Sequence, residues 1–491
     1  MDGFLKKILV GGGATLLSLL VVKVMAIVNS VIAARLLQPS DFGALSVIVN
    51  LQNLVVIVAC FGIPLAVTKH VSQWRAKDQS YASSVGSALL VMLLGSAIVT
   101  AVAYLLLSRT IAVGIYADPS LLDALRLSAV FVFIASVNLG MSSLLQGSQR
   151  IKTLAKINAS IAILAQPIAY ASITLAGLNG AIVAMSIASA VSVALLLFSI
   201  RGIINLSMTG AKSIFGKKHA LRPLLDFTIP SFLASMIVVP AYWIGRTELA
   251  VNFNLESVGL FQIAESLSQL VLLVPSAITV PLLPLISEQQ DMSAVGKSSG
   301  SLLRLAVFLG LPFSLLVLPF LRGVISILYG TPYEAANDAA ILMFASSTFI
   351  ALGSVISSTI IGVGRMWVAL GLNAVWLGAF LGAVFTLVPA SGTEGLAGSY
   401  AIAYSIYLFS LIWYFHSRFN ANTLRLVPVI AAYIPAMIIF LLEISSLEFV
   451  LRLAYGLGMA ASFCVIGYAF VLEKQERDYF HKALGRIRKM V

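Results

Sequence analysis

A chain of 491 residues that is 60% hydrophobic and only 10% charged, with its apolar residues in repeated blocks of about 20, excludes a soluble globular fold and leaves a polytopic membrane protein. The net charge of +12 is then a question of which side of the bilayer the basic residues occupy, not a sign of nucleic acid. Two cysteines, Cys60 and Cys464, both inside apolar runs, exclude a disulfide framework.

Apolar runs between polar punctuation predict an all-α integral membrane protein of fourteen spans, at 8–34, 44–67, 84–108, 121–145, 157–176, 180–200, 226–246, 258–286, 305–327, 339–363, 368–388, 395–415, 426–442 and 449–472. With the N-terminus cytoplasmic, 24 of the 31 basic residues fall on inner segments. Arg35, Arg109, Arg126, Arg246, Arg322 and Arg452 fall on or near the outer side, and Lys23 alone stands in mid-span. This asymmetry predicts an even number of spans in the cell membrane, with both termini cytoplasmic. Lys6 and Lys7 ahead of an apolar stretch imitate a signal peptide, but the run outlasts an h-region and Lys23 interrupts it, so the first helix is expected to be retained.

In span 1, "LLSLLVVKVMAIVNSV" (16–31) buries Lys23 at a cost of at least about 2.5 to 3.5 kcal/mol, so it is expected to face a protein interior or wet cavity. Ser30 lies seven residues on, along the same face. Span 2 places Ser46, Asn50 and Asn53 on one stripe, and span 7 places Ser231, Ser235, Tyr242 and Arg246 at compatible spacings. Span 8 carries Gln262, Ser266 and Gln269, with Glu265 beside them and Ser276 one step further. Such groups either hold helices together by hydrogen bonds or line a polar cavity. Their recurrence at equivalent positions favours the cavity. Lys23 and Glu265 both belong to its outer half, so they are candidates for an ion pair, for headgroup binding by Lys23, or for ion coupling through Glu265.

The equivalence comes from an internal repeat. "SSLLQGSQRIKTLAKIN" (142–158) returns as "SSTIIGVGRMWVALGLN" (357–373) at an offset of 215, "GLNG" (177–180) falls on "GTEG" (392–395), and Ala188 falls on Ala403. "PSDFGALSV" (39–47) resembles "LESVGLFQI" (255–263) at an offset of 216. Two six-span copies crossing in the same sense predict two parallel lobes around a central cavity, residues 1–200 and 226–415. A basic cytoplasmic linker (201–225) joins them, two appended spans (416–472) follow, and a basic tail (473–491) ends the chain. The tail sets Phe480, Leu484, Ile487 and Val491 against Lys482, Arg486, Arg488 and Lys489, the pattern of an interfacial helix. Asp123 with Arg126 and Glu448 with Arg452 have the spacing of local ion pairs, and Arg322 is placed to snorkel.

In "ARLLQPSDFGALSV" (34–47), "LLDFTIPSFLASMI" (224–237) and "LYGTPYEAANDAAILM" (328–343), the chain resembles the polysaccharide transporter family, the Wzx-type flippases of lipid-linked oligosaccharides. The resemblance implies a two-lobed transporter related to multidrug exporters and lipid II flippases, alternating between inward- and outward-facing states. It implies a polyprenyl-pyrophosphate-linked oligosaccharide as cargo, membrane lipids as surroundings, H+ or Na+ as candidate coupling ions, and glycan-assembly proteins as candidate partners. Two departures bear on the alternatives. Multidrug exporters of the superfamily often have a carboxylate in the first helix, whereas span 1 has no Asp or Glu. Lipid II flippases typically have several cavity arginines, whereas span 2 has no charge before Lys69.

A polytopic glycan polymerase or ligase is the competing class. It commonly needs a sizeable extramembrane loop and a positioned base or metal-binding carboxylates. His70, His219, His416 and His481 all fall at cytoplasmic ends, and no metal-site spacing or phosphate-binding glycine loop stands out, so neither an enzyme nor a cofactor is expected.

Overall fold

The computed structural model describes residues 2–75, 77–201, 208–215, 218–272, 292–419, 423–444, 447–473 and 476–477. The helices are α1 (Asp2–Leu36), α2 (Pro39–Cys60), α3 (Ile63–Arg75), α4 (Gln79–Arg109), α5 (Leu121–Gly147), α6 (Ile151–Ile200), α7 (Met208–Phe215), α8 (Lys218–Asn252) and α9 (Leu255–Ser268). After them come α10 (Met292–Val317), α11 (Leu321–Leu328), α12 (Asn337–Gly362), α13 (Met366–Phe419), α14 (Val427–Ile439) and α15 (Phe449–Ile466). Much of the expected tail, including the Phe480 stripe, lies outside the described residues, as does Ser276.

Among the described residues, ten helical stretches are long and apolar enough to cross a membrane. Two of these are too long for one crossing. α6 has 50 residues and α13 has 54, each more than twice the length that about 30 Å of hydrocarbon requires. Both turn back at a glycine: Gly177 has φ 54° and ψ −131°, and Gly392 has φ 54° and ψ −123°. That backbone region is essentially closed to residues with a Cβ. The reversal brings Gly180 so close to Ser172 that a Cβ would overlap its carbonyl, and Gly395 stands in the same way against Leu387. Eight residues along a straight helix are about 12 Å apart. In α13 the second limb returns Tyr400 to Phe380 (ring centroids 4.8 Å) and Tyr404 to Trp376 (5.3 Å). With each hairpin counted as two spans and α8 added, the ten become thirteen. The expected eighth span begins as α9 and is described as far as Leu272.

The repeat is visible in hydrogen bonds. At the end of α5, Ser148 N–H donates to Leu144 O, Gln149 N–H to Gln146 O and Arg150 N–H to Leu145 O, each at 2.9 Å. At the end of α12, Val363, Gly364 and Arg365 donate to Thr359, Ile361 and Ile360 at 3.0 to 3.1 Å, with every partner displaced by 215. Left-handed backbone makes the turn in both, through Gln149 (φ 57°) and Gly364 (φ 78°).

Some elements depart from the expectation. Span 2 does not run unbroken to residue 67. α2 stops at Cys60, where Phe61 (φ 46°) caps it by donating to Ile57 O, and α3 begins after Gly62 (φ 72°). Span 9 is broken by a 3-10 turn, Leu318–Phe320, at Pro319. Within the linker, α7 buries Ala211 and Ile214 against α4 and leaves Lys212 exposed. Arg126 pairs with Asp123 at 3.7 Å as expected. Arg452 instead lies over the Phe449 ring at 6.0 Å, and Arg322 pairs with Glu334 at 3.2 Å rather than only snorkelling.

Two compact units divide the chain, Met1–Gln262 and Ile263–Val491. In the first, α1 rests on α6 through Ser18 Oγ donating to Ala155 O (2.6 Å) and Gln166 Nε2 to Met25 O (3.2 Å), and α8 packs on α2, α3 and α7. Asp78 starts α4 by accepting the Tyr81 N–H. In the second, α12 packs on α10, α11, α13 and α14, and the buried Tyr433 hydroxyl bonds Ser314 (2.8 Å) and Thr348 (3.4 Å). Arg304 on α10 binds Glu476 at 2.8 Å and Glu473 at 3.2 Å, and Ser301 donates to Glu476 as well. Nothing local in the sequence announced that cluster, because its members are some 170 residues apart.

Candidate functional site

The polar stripe of α2 begins where α2 meets the first half of α9. A Cβ on Gly43 would overlap the Leu255 carbonyl, and one on Gly259 would stand 2.9 Å from Pro39 O and 3.2 Å from Gly43 N. The two backbones therefore touch, which only glycine at both positions permits. At the offset of 216, Pro39 corresponds to Leu255 and Gly43 to Gly259, so the contact of Gly43 with Leu255 is repeated, roles exchanged, as that of Gly259 with Pro39. Such reciprocity is the mark of a two-fold contact. One turn on, Ser46 Oγ donates to Gln262 Oε1 at 2.8 Å, directly between counterparts. Ser46 is buried, Asn50 returns its Nδ2 to Ser46 O at 3.0 Å, and Asn53 is exposed. The structure thus brings Ser46, Asn50 and Gln262 together, and the first of them is engaged in helix contact.

Lys23 is half-buried on α1. Ser18 and Met25, which bond α6, share one stripe of that helix, and Lys23 with Ser30 lies about 140° round from it. On α8, Tyr242 and Ser235 are half-buried, and the Ser231 side chain lies outside the described residues. Arg246 is only 2% exposed. Its guanidinium stands 5.1 Å from the Phe261 ring, and Nη1 reaches back to Tyr242 O at 3.5 Å. That placement ties α8 to α9. Neighbouring Trp243 and Thr247 bind the Tyr116 hydroxyl at 3.1 and 3.0 Å, and burial pushes that phenol above its ordinary pKa.

Glu265, Ser266 and Gln269 are half-buried in the second unit, where the Glu265 carbonyl accepts from Ser268 Oγ (2.8 Å) and Gln269 N–H (3.2 Å). Gln52, which the polar periodicity does not single out, is 0% exposed, with neither amide atom hydrogen-bonded among the described residues. Its neighbours in the stripe drew attention, while Gln52 faces the buried side of α2 with Val56, Ala59 and Cys60. Among the described residues, no group of three or more His, Cys, Asp and Glu is placed to hold a metal ion.

A family model described as polysaccharide biosynthesis protein matches residues 32–338. No curated protein matches the chain. Among solved structures it is similar to an inward-facing multidrug resistance MATE family transporter of the MOP superfamily, with 12% identity over 81% of this chain and 94% of that one and a TM-score of 0.68. It is similar to the lipid II flippase MurJ in an inward closed conformation, with 12% identity over 92% and 98% and a TM-score of 0.68. A MOP superfamily transporter from Pyrococcus furiosus, described by the reversed polarity of its binding pocket, gives 15% identity over 84% and 96% and a TM-score of 0.65. At these identities the likeness is one of fold.

Proposed function

Since the chain belongs to the polysaccharide biosynthesis protein family and has the fold of MOP superfamily transporters, we propose that it flips a polyprenyl-pyrophosphate-linked oligosaccharide from the inner to the outer leaflet of the cell membrane by alternating access. The observation that carries the cargo assignment is Lys23, a half-buried cation in the middle of an apolar span. An ammonium attracts the diphosphate, and Asn50, Asn53, Gln262, Ser266, Gln269 and Tyr242 offer exchangeable hydrogen bonds to a sugar shedding water. The polyprenyl tail stays in lipid throughout. Both termini are cytoplasmic in this reading, and glycan-assembly proteins supply and consume the cargo.

Proteoliposomes loaded with a polyprenyl-diphosphate oligosaccharide test this. Lys23→Ala is expected to abolish translocation with near-normal membrane abundance, and Lys23→Arg to retain part of it. Full transport by the alanine variant overturns the cargo role.

A second reading, an ion-coupled multidrug exporter, draws on the fold it shares with multidrug transporters. Glu265 is the residue on which coupling to H+ or Na+ would turn. It is half-buried, an acidic residue within an expected apolar span. Glu265→Gln is expected to lose the response of transport to a pH gradient. A variant that keeps both parental rate and gradient response excludes Glu265 as the coupling site.

A further inference from the structure

The start of α14, the end of α15 with the turn after it, and Arg304 on α10 enclose a cavity of about 750 Å³ in the second unit. Its two ends differ in chemistry. One is lined by Arg304, Arg425 and Arg477, and the other by apolar side chains such as Val429, Ile466 and Phe470. Arg304 is neutralised by Glu473 and Glu476. Arg477 spends two donors on Leu472 O (3.0 Å) and Ala469 O (2.7 Å) and stacks its guanidinium over Tyr468 at 5.3 Å. Arg425 is exposed at the rim and forms no ion pair among the described residues. Among the described residues, three guanidiniums against two carboxylates leave the polar end positive.

The apolar end belongs to α14, α15 and the π-helical turn Gly467–Val471, within stretches apolar enough to cross a membrane. A soluble anion has no use for that wall. A molecule with an anionic head and acyl chains matches both ends, and basic pockets between spans at a cytoplasmic membrane face are general sites for anionic lipid headgroups. We propose that this cavity binds an anionic glycerophospholipid, its phosphate at Arg425 and Arg477 and its chains along Val429, Ile466 and Phe470. The site shares no residue with the polar faces of α2 and α9, and its occupant is a resident lipid rather than cargo. It would seat the appended pair of spans on α10, where the start of α14 and the end of α15 meet the middle of that helix.

Native mass spectrometry of the full chain in detergent tests this with phosphatidylglycerol, phosphatidylcholine of the same acyl chains, and glycerophosphate as probes. The parent is expected to retain phosphatidylglycerol over phosphatidylcholine. Arg425→Gln is expected to weaken phosphatidylglycerol retention about fivefold, the effect of one near-surface cation, with Arg425→Lys keeping the preference. Ala432→Trp, an exposed position on the cavity wall, is expected to reduce both lipids together while the melting temperature holds. Equal retention of the two lipids by the parent overturns the proposal, as does an Arg425→Gln variant that binds like the parent. Glycerophosphate held as well as phosphatidylglycerol makes the cavity a free-phosphate site and overturns the lipid.

Discussion

Gln149 and Gly364 perform the same backbone turn with different side chains. An L-residue in the left-handed region costs about 1 to 2 kcal/mol, which glycine avoids while giving back part of that in unfolded-chain entropy. Gln149→Gly is therefore expected to raise stability by up to about 1 kcal/mol, and Gly364→Gln to lower it by a similar amount, read as opposite shifts of melting temperature in detergent. Equal or same-sign shifts would mean that the two turns are not equivalent. The pair also shows what a residue-level match can hide. Ser142, Gly147, Arg150 and Asn158 announced the repeat by identity, but position 149 differs from its counterpart, and only the shared hydrogen bonds show that both do one job. Gly177 and Gly392 were legible because the reversal there accepts glycine alone.

Between elements, the contact of α2 with α9 depends on two glycines that leave no room for a Cβ. Gly43→Leu is expected to force the helices apart and separate Ser46 from Gln262. Ser46→Cys with Gln262→Cys should cross-link readily through a short bifunctional thiol reagent in an otherwise parental background, the reagent spanning the reach of the native Gln262 side chain to Ser46. Adding Gly43→Leu should suppress that cross-link, whereas adding Gly95→Leu, where nothing crowds a Cβ, should not. Undiminished cross-linking in the Gly43 variant would show that the contact tolerates bulk. The helical stripes of Ser46 and Gln262 were readable from periodicity, and so was their correspondence at offset 216. Their meeting was not, because a repeat says which residues are equivalent and nothing about which ones touch. The break at Phe61 was hidden for a different reason: the chain stays apolar across it, and hydropathy cannot distinguish a continuous helix from one that is capped and restarted.

For the molecule as a whole, the two hairpins supply a test of parallel against inverted copies. A six-span unit returns the chain to the side from which it started, so the turn at Gly177 and the turn at Gly392 are expected on the same face of the membrane. The basic residues choose the face, since Lys77 and Lys212 belong to segments that the charge asymmetry assigns to the cytoplasm. Cysteine at Leu178 and at Thr393 should accordingly react with an impermeant maleimide added outside intact cells. Cysteine at Lys77 and at Lys212 should react only after permeabilisation. Labelling of all four positions in the opposite sense would turn the protein over without disturbing the repeat. Labelling of 178 and 393 on opposite sides would be more serious. The copies would then be inverted about an axis in the membrane plane, the number of crossings between the hairpins would be odd, and the counterparts Ser46 and Gln262 would stand on helices running in opposite senses through the bilayer.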